Sequence, residues 1–512
     1  MPRWARELLG VATALAISVA VVAATASSPR SELLFRDGDS LVTSLVIHSL
    51  AVAQPQDWAM SSVLFLPEIA VLWALSLFGL GTDGTLTLAG VVNLVALYGA
   101  LRVAAGASAI ARAPIAGALV GLGVFGAVAA TEWSPSRDAL ELASLTTTTT
   151  YYSATVVGAV LAVGLVRRGI DRVRSRAGGS DAGSRSAVPW GAVAGVGAVA
   201  AASVLSNPLF AAWATVPLAL VLAIVGLSER AAWWLAGGLV AGSILGFVGR
   251  MPLAHLIANT GAGYADPTQW AASLDYYGAL LAERWSAPWG AASVIVIALL
   301  WGWCVSACVL LVRRRDVGAA VVAACGWVVP LVVVVGAIAL GTHAARYLQP
   351  VVFAPLLGLV VLPELLPRAL PAARRGTVVG ATAVALTAAV ALGIPRIAAT
   401  APDADLACVV DWVGKSGRTG AGQFWTVRLP KTHLADPRAL VQVDHELRGY
   451  AWLVNRDDFG VGEVSFLVID AQTPAFALPG ERTMTDAALV PCGRYTIADF
   501  GDEALPLGPQ RS

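Results

Sequence analysis

Eleven stretches of this chain are long and apolar enough to be read as membrane-crossing helices, and no other feature narrows the possible folds as much. A helix rises ~1.5 Å per residue, so ~20 apolar residues cover ~30 Å of hydrocarbon. The runs lie at about 8–26, 85–101, 113–130, 150–166, 188–205, 209–227, 231–248, 290–312, 317–340, 350–366 and 377–394. Composition agrees: 57% of the 512 residues are hydrophobic, 13% are charged, and the mean hydropathy is +0.72. Ordinary soluble domains carry about 25% charged residues, so a water-soluble enzyme of this length is excluded. The net charge of +1 leaves no basic surplus for nucleic acid.

A twelfth apolar run, 61–80, raises a question of parity. Counted as a span, it would put the arginine-rich segment 167–185 on the outer face, against the positive-inside rule. If it lies at the outer interface instead, all the basic loops fall on the cytoplasmic side. The inside then carries 17 arginines against 6 acids, and the outside before residue 395 carries 6 arginines against 12 acids. This asymmetry predicts eleven spans, with the N-terminus cytoplasmic behind Arg3 and Arg6 and the C-terminus outside. The first apolar run, at ~18 residues, exceeds a signal-peptide core and reads as an uncleaved anchor.

The predicted architecture is an all-α polytopic membrane domain over 1–395, with interfacial helices in the first outer loop. A small extracytoplasmic α+β domain follows over 396–512. That tail has soluble-protein composition, with 15 acids and 11 bases from 395 onward. Strand-like runs occur at Phe424 to Arg428, Ala439 to Val443, Ala451 to Asn455, Val464 to Ile469 and Tyr495 to Phe500, and a helix pattern near Asp405 to Lys415. Cys408 and Cys492 lie near its two ends and are candidates for a disulfide in an oxidising compartment. Cys304, Cys308 and Cys325 fall inside apolar runs and read as small buried hydrophobes.

Chemistry-bearing residues are concentrated in the outer loops. Asp37 and Asp39 flank a glycine just after the first span. Such a pair can hold a divalent cation (Mg or Mn), or one carboxylate can act as general base while the other orients it. The alternative is a solvated turn with Asp39 capping the next helix. Glu68 is an acid inside an apolar run and either lines a cavity or reaches the interface. The second outer loop offers Glu132, Asp138 and Glu141. Before the tenth span, His343, Arg346 and Tyr347 stand at the outer surface, where a guanidinium can fork onto phosphate oxygens or anchor at headgroup level. The third loop is acidic and aromatic, which suits sugar stacking or an interfacial helix. His48 and His255 read as structural or exposed. The spans contain almost no ionisable groups away from their ends, unlike those of ion-coupled transporters.

The layout resembles the GT-C superfamily of polytopic glycosyltransferases, in particular its actinobacterial members. The resemblance rests on four short motifs. Asp37-Gly38-Asp39 follows the first span. Leu66-Pro67-Glu68 through Phe78-Gly79 is similar to an interfacial helix ending in an aromatic-glycine pair. Asp138 falls at a second acidic position, and Arg346-Tyr347-Leu348-Gln349-Pro350 is similar to a basic-tyrosine-leucine-x-proline element. The resemblance implies transfer of a monosaccharide from a polyprenyl-phosphate donor to a glycan, lipid or protein acceptor of the cell envelope, with inversion. Asp37 would be the base, Asp39 or Asp138 would orient the acceptor, and Glu68, His343, Arg346 and Tyr347 would bind substrate. A divalent cation is optional in this chemistry. No lysine precedes Lys415, so the phosphate-binding role falls to Arg346. A transporter or lipid flippase, or a noncatalytic envelope scaffold, is the competing expectation.

Overall fold

Residues 2–107, 111, 113–177, 188–366, 403–480 and 482–511 are described by the structure, a computed structural model. The expected eleventh span and Arg368, Arg374 and Arg375 lie outside the described residues.

The chain opens with α1 (Arg3–Ala26), followed by two short helices, α2 (Val42–Ala51) and α3 (Leu66–Ser76). Next come α4 (Gly81–Ala104), α5 (Pro114–Ala129), α6 (Ser153–Ala177), α7 (Trp190–Ser206), α8 (Val216–Gly226) and α9 (Arg230–Val248). They are succeeded by α10 (Trp270–Ser286), α11 (Pro288–Arg313), α12 (Val317–Ala339) and a broken helical run, α13 (Ala345–Leu365). Prolines 350, 355 and 363 interrupt α13, because each lacks an N–H and its ring crowds the preceding turn.

Among the described residues, seven helices are long and apolar enough to cross a membrane: α1, α4, α6, α9, α11, α12 and α13. The protein is therefore a membrane protein by length and composition of its helices. Helices α5 and α7, of 16 and 17 residues, and the apolar run Ala211–Gly226 that contains α8 are shorter. Each reaches only ~24–26 Å, a few ångströms under the ~30 Å hydrocarbon core. The expected count of eleven thus narrows to seven in the described residues. The 61–80 run forms only the 11-residue α3, which at ~16 Å cannot cross.

Contacts divide the chain into two compact units. The helical unit comprises Met1–Ser31, Ala89–Met251 and Gly263–Ala398. Within it, α7 and α9 pack through small residues. Gly242 and Gly246 lie so close to the backbone of Gly197 and Ala201 that an added Cβ would run into a carbonyl oxygen. Small-residue seams of this kind let apolar helices approach where no hydrophobic gradient drives them together. Leu299, Val312, Trp289, Ile244 and Phe247 remain exposed on α9 and α11, as expected of side chains that meet hydrocarbon.

The strand-rich unit comprises Glu32–Leu88, Pro252–Ala262 and Ala399–Ser512. It is larger than a tail beginning at 396, because most of the first outer loop belongs to it. In chain order its elements are β1 (Trp58–Ala59), α14 (Ala404–Ser416), β2 (Gly420–Gln423), α15 (Phe424–His433), β3 (Leu440–Val443), β4 (Arg448–Tyr450), β5 (Val454–Asn455) and β6 (Glu463–Val464). They are completed by β7 (Phe466–Asp470), β8 (Ala488–Cys492), β9 (Tyr495–Asp499), β10 (Leu505–Pro506) and β11 (Gly508–Arg511). A seven-stranded sheet runs β11-β4-β3-β2-β7-β9-β8, and β1 pairs antiparallel with β5.

Phe424 to Arg428, expected as a strand, is instead the start of α15. Its aromatic and β-branched residues favour a strand locally, but β2 and β3 are parallel neighbours. Parallel neighbours need a crossover, usually a helix. The sheet faces follow strand alternation. Leu440, Phe466, Val468 and Ile497 pack with Val409, Val413 and Val427 of α14 and α15, while Val441, Leu467 and Ala498 point into a second core. Cys408 of α14 and Cys492 of β8 form a disulfide, with Cα atoms 5.5 Å apart.

Candidate functional site

The helical unit brings together Asp138 and Arg346, which stand 208 residues apart in sequence. Nη1 of Arg346 donates to Oδ1 of Asp138 at 3.3 Å, and Nε donates to the Tyr152 hydroxyl, also at 3.3 Å. The guanidinium lies 5.7 Å from the ring centroid of Tyr347. Tyr152 holds φ at +69°, a left-handed conformation that costs ~1–3 kcal/mol for a residue with a side chain. Its ring meets Trp213 edge-on at 5.7 Å, and Trp213 Nε1 donates to the Tyr347 carbonyl at 3.1 Å. The arginine therefore sits in an aromatic wall that fixes its approach.

His343 is exposed, with its ring centroid 5.4 Å from that of Tyr276 on α10. Burial, and next the Asp138 carboxylate, push the Tyr276 phenol up, so it stays a protonated donor at neutral pH. Its neighbour Tyr277 shares a 2.7 Å hydrogen bond with Thr342, tying α10 to the loop that leads into Arg346.

The three acids of the second outer loop separate by burial. Asp138 is half exposed, whereas Glu132 and Glu141 are buried. Oε1 of Glu132 accepts from Ala143 N, and its Oε2 from Ser144 N and Oγ. Burial pushes its carboxyl up, against the pull of Arg30 and Ser144. Glu141 accepts from the backbone of Trp133 and Ser134 and pairs with Arg284 at 2.6 Å. Arg30, also buried, donates to the carbonyls of Ser134, Ser136 and Glu141. Glu132 and Glu141 are thus the frame of the loop, and Asp138 is the acid it presents.

The strand-rich unit holds the other motif. Oδ1 of Asp37 accepts from the backbone N–H of Asp39 at 3.1 Å and of Ser40 at 3.2 Å, forming a tight turn. Asp39 does not cap α2, whose N-cap is Leu41 without a side-chain bond. Gly38 is buried against Phe424 and Trp425, and its carbonyl accepts from Arg428 Nε at 2.6 Å. Arg428 is fully buried, and burial pulls its guanidinium down to about 10 while Asp39, Asp37 and Asp458 oppose that shift. Glu68 is buried in the first turn of α3, a position the helix dipole favours for an acid. Between α2, α3 and the start of α4, a groove of about 360 Å³ is lined by Ser44, Ile47, His48, Leu72, Thr85 and Thr432. Trp73, Leu77 and Phe78 are exposed beside it.

Among the described residues no group of three or more His, Cys, Asp or Glu gathers as ligands, and Oδ1 of Asp37 is already committed to its turn. Tyr276 belongs to the aromatic third loop that suits sugar stacking, whereas no sequence signal marks Tyr152 or Arg428 as a site residue. Arg428 stands 390 residues from Gly38, and no spacing rule connects the two. No protein-family model and no curated protein matches the chain.

Proposed function

We propose that the protein is a membrane glycosyltransferase. It moves a monosaccharide from a polyprenyl-phosphate donor to an envelope glycan, lipid or protein acceptor on the outer face of the cytoplasmic membrane. The observation that carries this reading is the Arg346–Asp138 pair in a wall of tyrosines, on a unit of apolar helices. A planar guanidinium beside a half-exposed acid suits a substrate that carries both phosphate and hydroxyls. The groove by α2 and α3, apolar with scattered hydroxyls, supports a lipid-borne donor. The disulfide supports an extracytoplasmic tail, where oxidising conditions hold. The full count of eleven spans and the inside-out assignment rest on the arginine asymmetry.

The Asp37 carboxylate takes the proton of the acceptor hydroxyl as its oxygen bonds to the anomeric carbon. The anomeric C–O bond to phosphate breaks with inversion, and its electron pair leaves on polyprenyl phosphate. A phosphate monoester has a second pKa near ~6, so it departs without a strong acid, and Arg346 offsets the charge that develops. Asp39 or Asp138 orients the acceptor, and Glu68, His343 and Tyr347 contribute to substrate binding.

The test compares purified wild type with Asp37→Asn, using radiolabelled polyprenyl-phosphate sugars and an envelope extract. Transfer by wild type should fall by roughly 10²–10⁴-fold in the folded variant, the usual contribution of a general base. Unchanged transfer moves the base to Asp39 or Asp138. No transfer from any donor by folded wild type favours a transporter or a scaffold.

A further inference from the structure

We propose that Arg428 is a positioning residue for Asp37-Gly38-Asp39, so that the C-terminal tail aims the carboxylates of the first outer loop. The inference rests on the reading that this motif carries the transfer chemistry. Its geometry lies wholly within the strand-rich unit.

Arg428 projects from the middle of α15 into a site with no solvent exposure. Its Nε donates to the Gly38 carbonyl at 2.6 Å, and Nη1 donates to the Leu453 carbonyl at 2.5 Å and to Gln442 Oε1 at 3.2 Å. Gln442 is itself oriented, because its amide donates to the carbonyls of Tyr450 and Trp452 at 2.8 Å. The Phe424 ring centroid lies 4.8 Å from the guanidinium. The fork is therefore locked by β3, β4 and the residue that precedes β5, leaving one nitrogen, Nη2, buried without a hydrogen-bond partner among the described residues.

A fully buried cation short of one acceptor is an expensive way to bind a single carbonyl. Three nearby acids, Asp39, Asp37 and Asp458, offset that cost electrostatically. Asp458 is already committed: its Oδ2 lies 2.8 Å from Lys431 Nζ, and Oδ1 accepts from Gln54. Asp37 and Asp39 are partly exposed, while Gly38 between them is buried. A Cβ at Gly38 would fall 2.9 Å from Phe424 Cε1 and 3.1 Å from Trp425 Cε3. The turn is thus docked backbone-first on α15, with Arg428 as its polar anchor and two aromatic rings as its floor. A displacement of ~1 Å in such a site costs ~10²-fold in rate.

Two full-length variants act on this joint from opposite sides. Arg428→Gln removes the anchor, and Gly38→Ala lifts the turn off its floor with Arg428 intact. Hydrogen exchange of the purified protein reads the peptide covering 33–41, whose Asp39 and Ser40 amides are held by Asp37. In each variant, exchange there should quicken at least ~10-fold, a loss of ~1.4 kcal/mol of protection, with β2, β3 and β7 unchanged. Transfer should fall ~10–100-fold in kcat with the donor KM within about 2-fold, and Arg428→Lys should restore only part of it. Wild-type exchange at 33–41 in either folded variant overturns the proposal whatever the activity. Faster exchange with undiminished transfer overturns the positioning role. If wild type transfers from no donor, the transfer reading fails, and exchange alone decides whether Arg428 holds the turn. Gly38→Ala keeps the test open if Arg428→Gln does not fold.

Discussion

The two units hold buried charge differently. In the helical unit, Arg30 donates through Nε and both Nη atoms and Arg284 through both Nη atoms, to carbonyls, hydroxyls and Glu141 around the second outer loop. The acid that loop presents, Asp138, is left half exposed with Arg346 as its partner. In the strand-rich unit, Arg428 is equally buried, its Nη2 has no hydrogen-bond partner among the described residues, and the acids it serves are reached through a backbone carbonyl. Burial with donors spread over several groups of one loop marks a charge that builds the frame. Partial exposure beside a held cation marks a charge available for chemistry.

The largest expected effect breaks the frame. Arg284→Ala leaves Glu141 buried without its closest cation, and stranding one half of a buried pair costs ~3–5 kcal/mol. Little monodisperse protein should survive size-exclusion chromatography in detergent after heating that wild type withstands. A variant as stable as wild type would mean that Glu141 and Arg284 are not framework. Arg346→Gln should behave in the opposite way. The folded protein should persist while transfer falls roughly 10²–10³-fold, as when one transition-state donor is removed. Loss of fold without a specific loss of rate would place Arg346 with the frame.

A smaller effect sharpens the comparison from the other unit. Burial pushes the Asp444 carboxyl up, but hydrogen bonds from the Arg448 and Glu446 backbone and from the Arg448 and Arg511 guanidiniums win, so it lies low. Its stabilisation is present above the ordinary unfolded value near ~3.9 and is lost as pH falls through the lower folded value. Asp444→Asn should therefore cost about 2 kcal/mol at neutral pH, and the gap should close as the medium is acidified below ~4. Denaturation at pH 7 and pH 3, followed by tryptophan fluorescence, reads this difference. An equal gap at both values would remove Asp444 from the charged lattice of the sheet edge.

Much of the layout was legible in the hydropathy pattern, because membrane spans are specified locally: a run either contains enough apolar residues or it does not. The α14 helix was legible in the pattern near Asp405 to Lys415, and β3, β7 and β9 in their alternating apolar residues. The Phe424 to Arg428 segment is helical against its local strand preference because parallel pairing of β2 with β3 needs a crossover. The site was legible only in part. Asp37, Asp39, Asp138 and Arg346 stood out as charges in an apolar chain, but nothing in the linear order distinguishes Asp138 from Glu132 or Glu141.

The sequence by itself determined that this is a membrane protein with a distinct soluble-type tail, because transfer of apolar side chains from water is additive along a helix. Only the tertiary structure decided which acids are framework and which are presented. It also decided that residues 32–88 belong with the tail and that Arg428 reaches Gly38. Those outcomes depend on desolvation and hydrogen-bond geometry between residues hundreds of positions apart, and neither quantity is carried by any one segment.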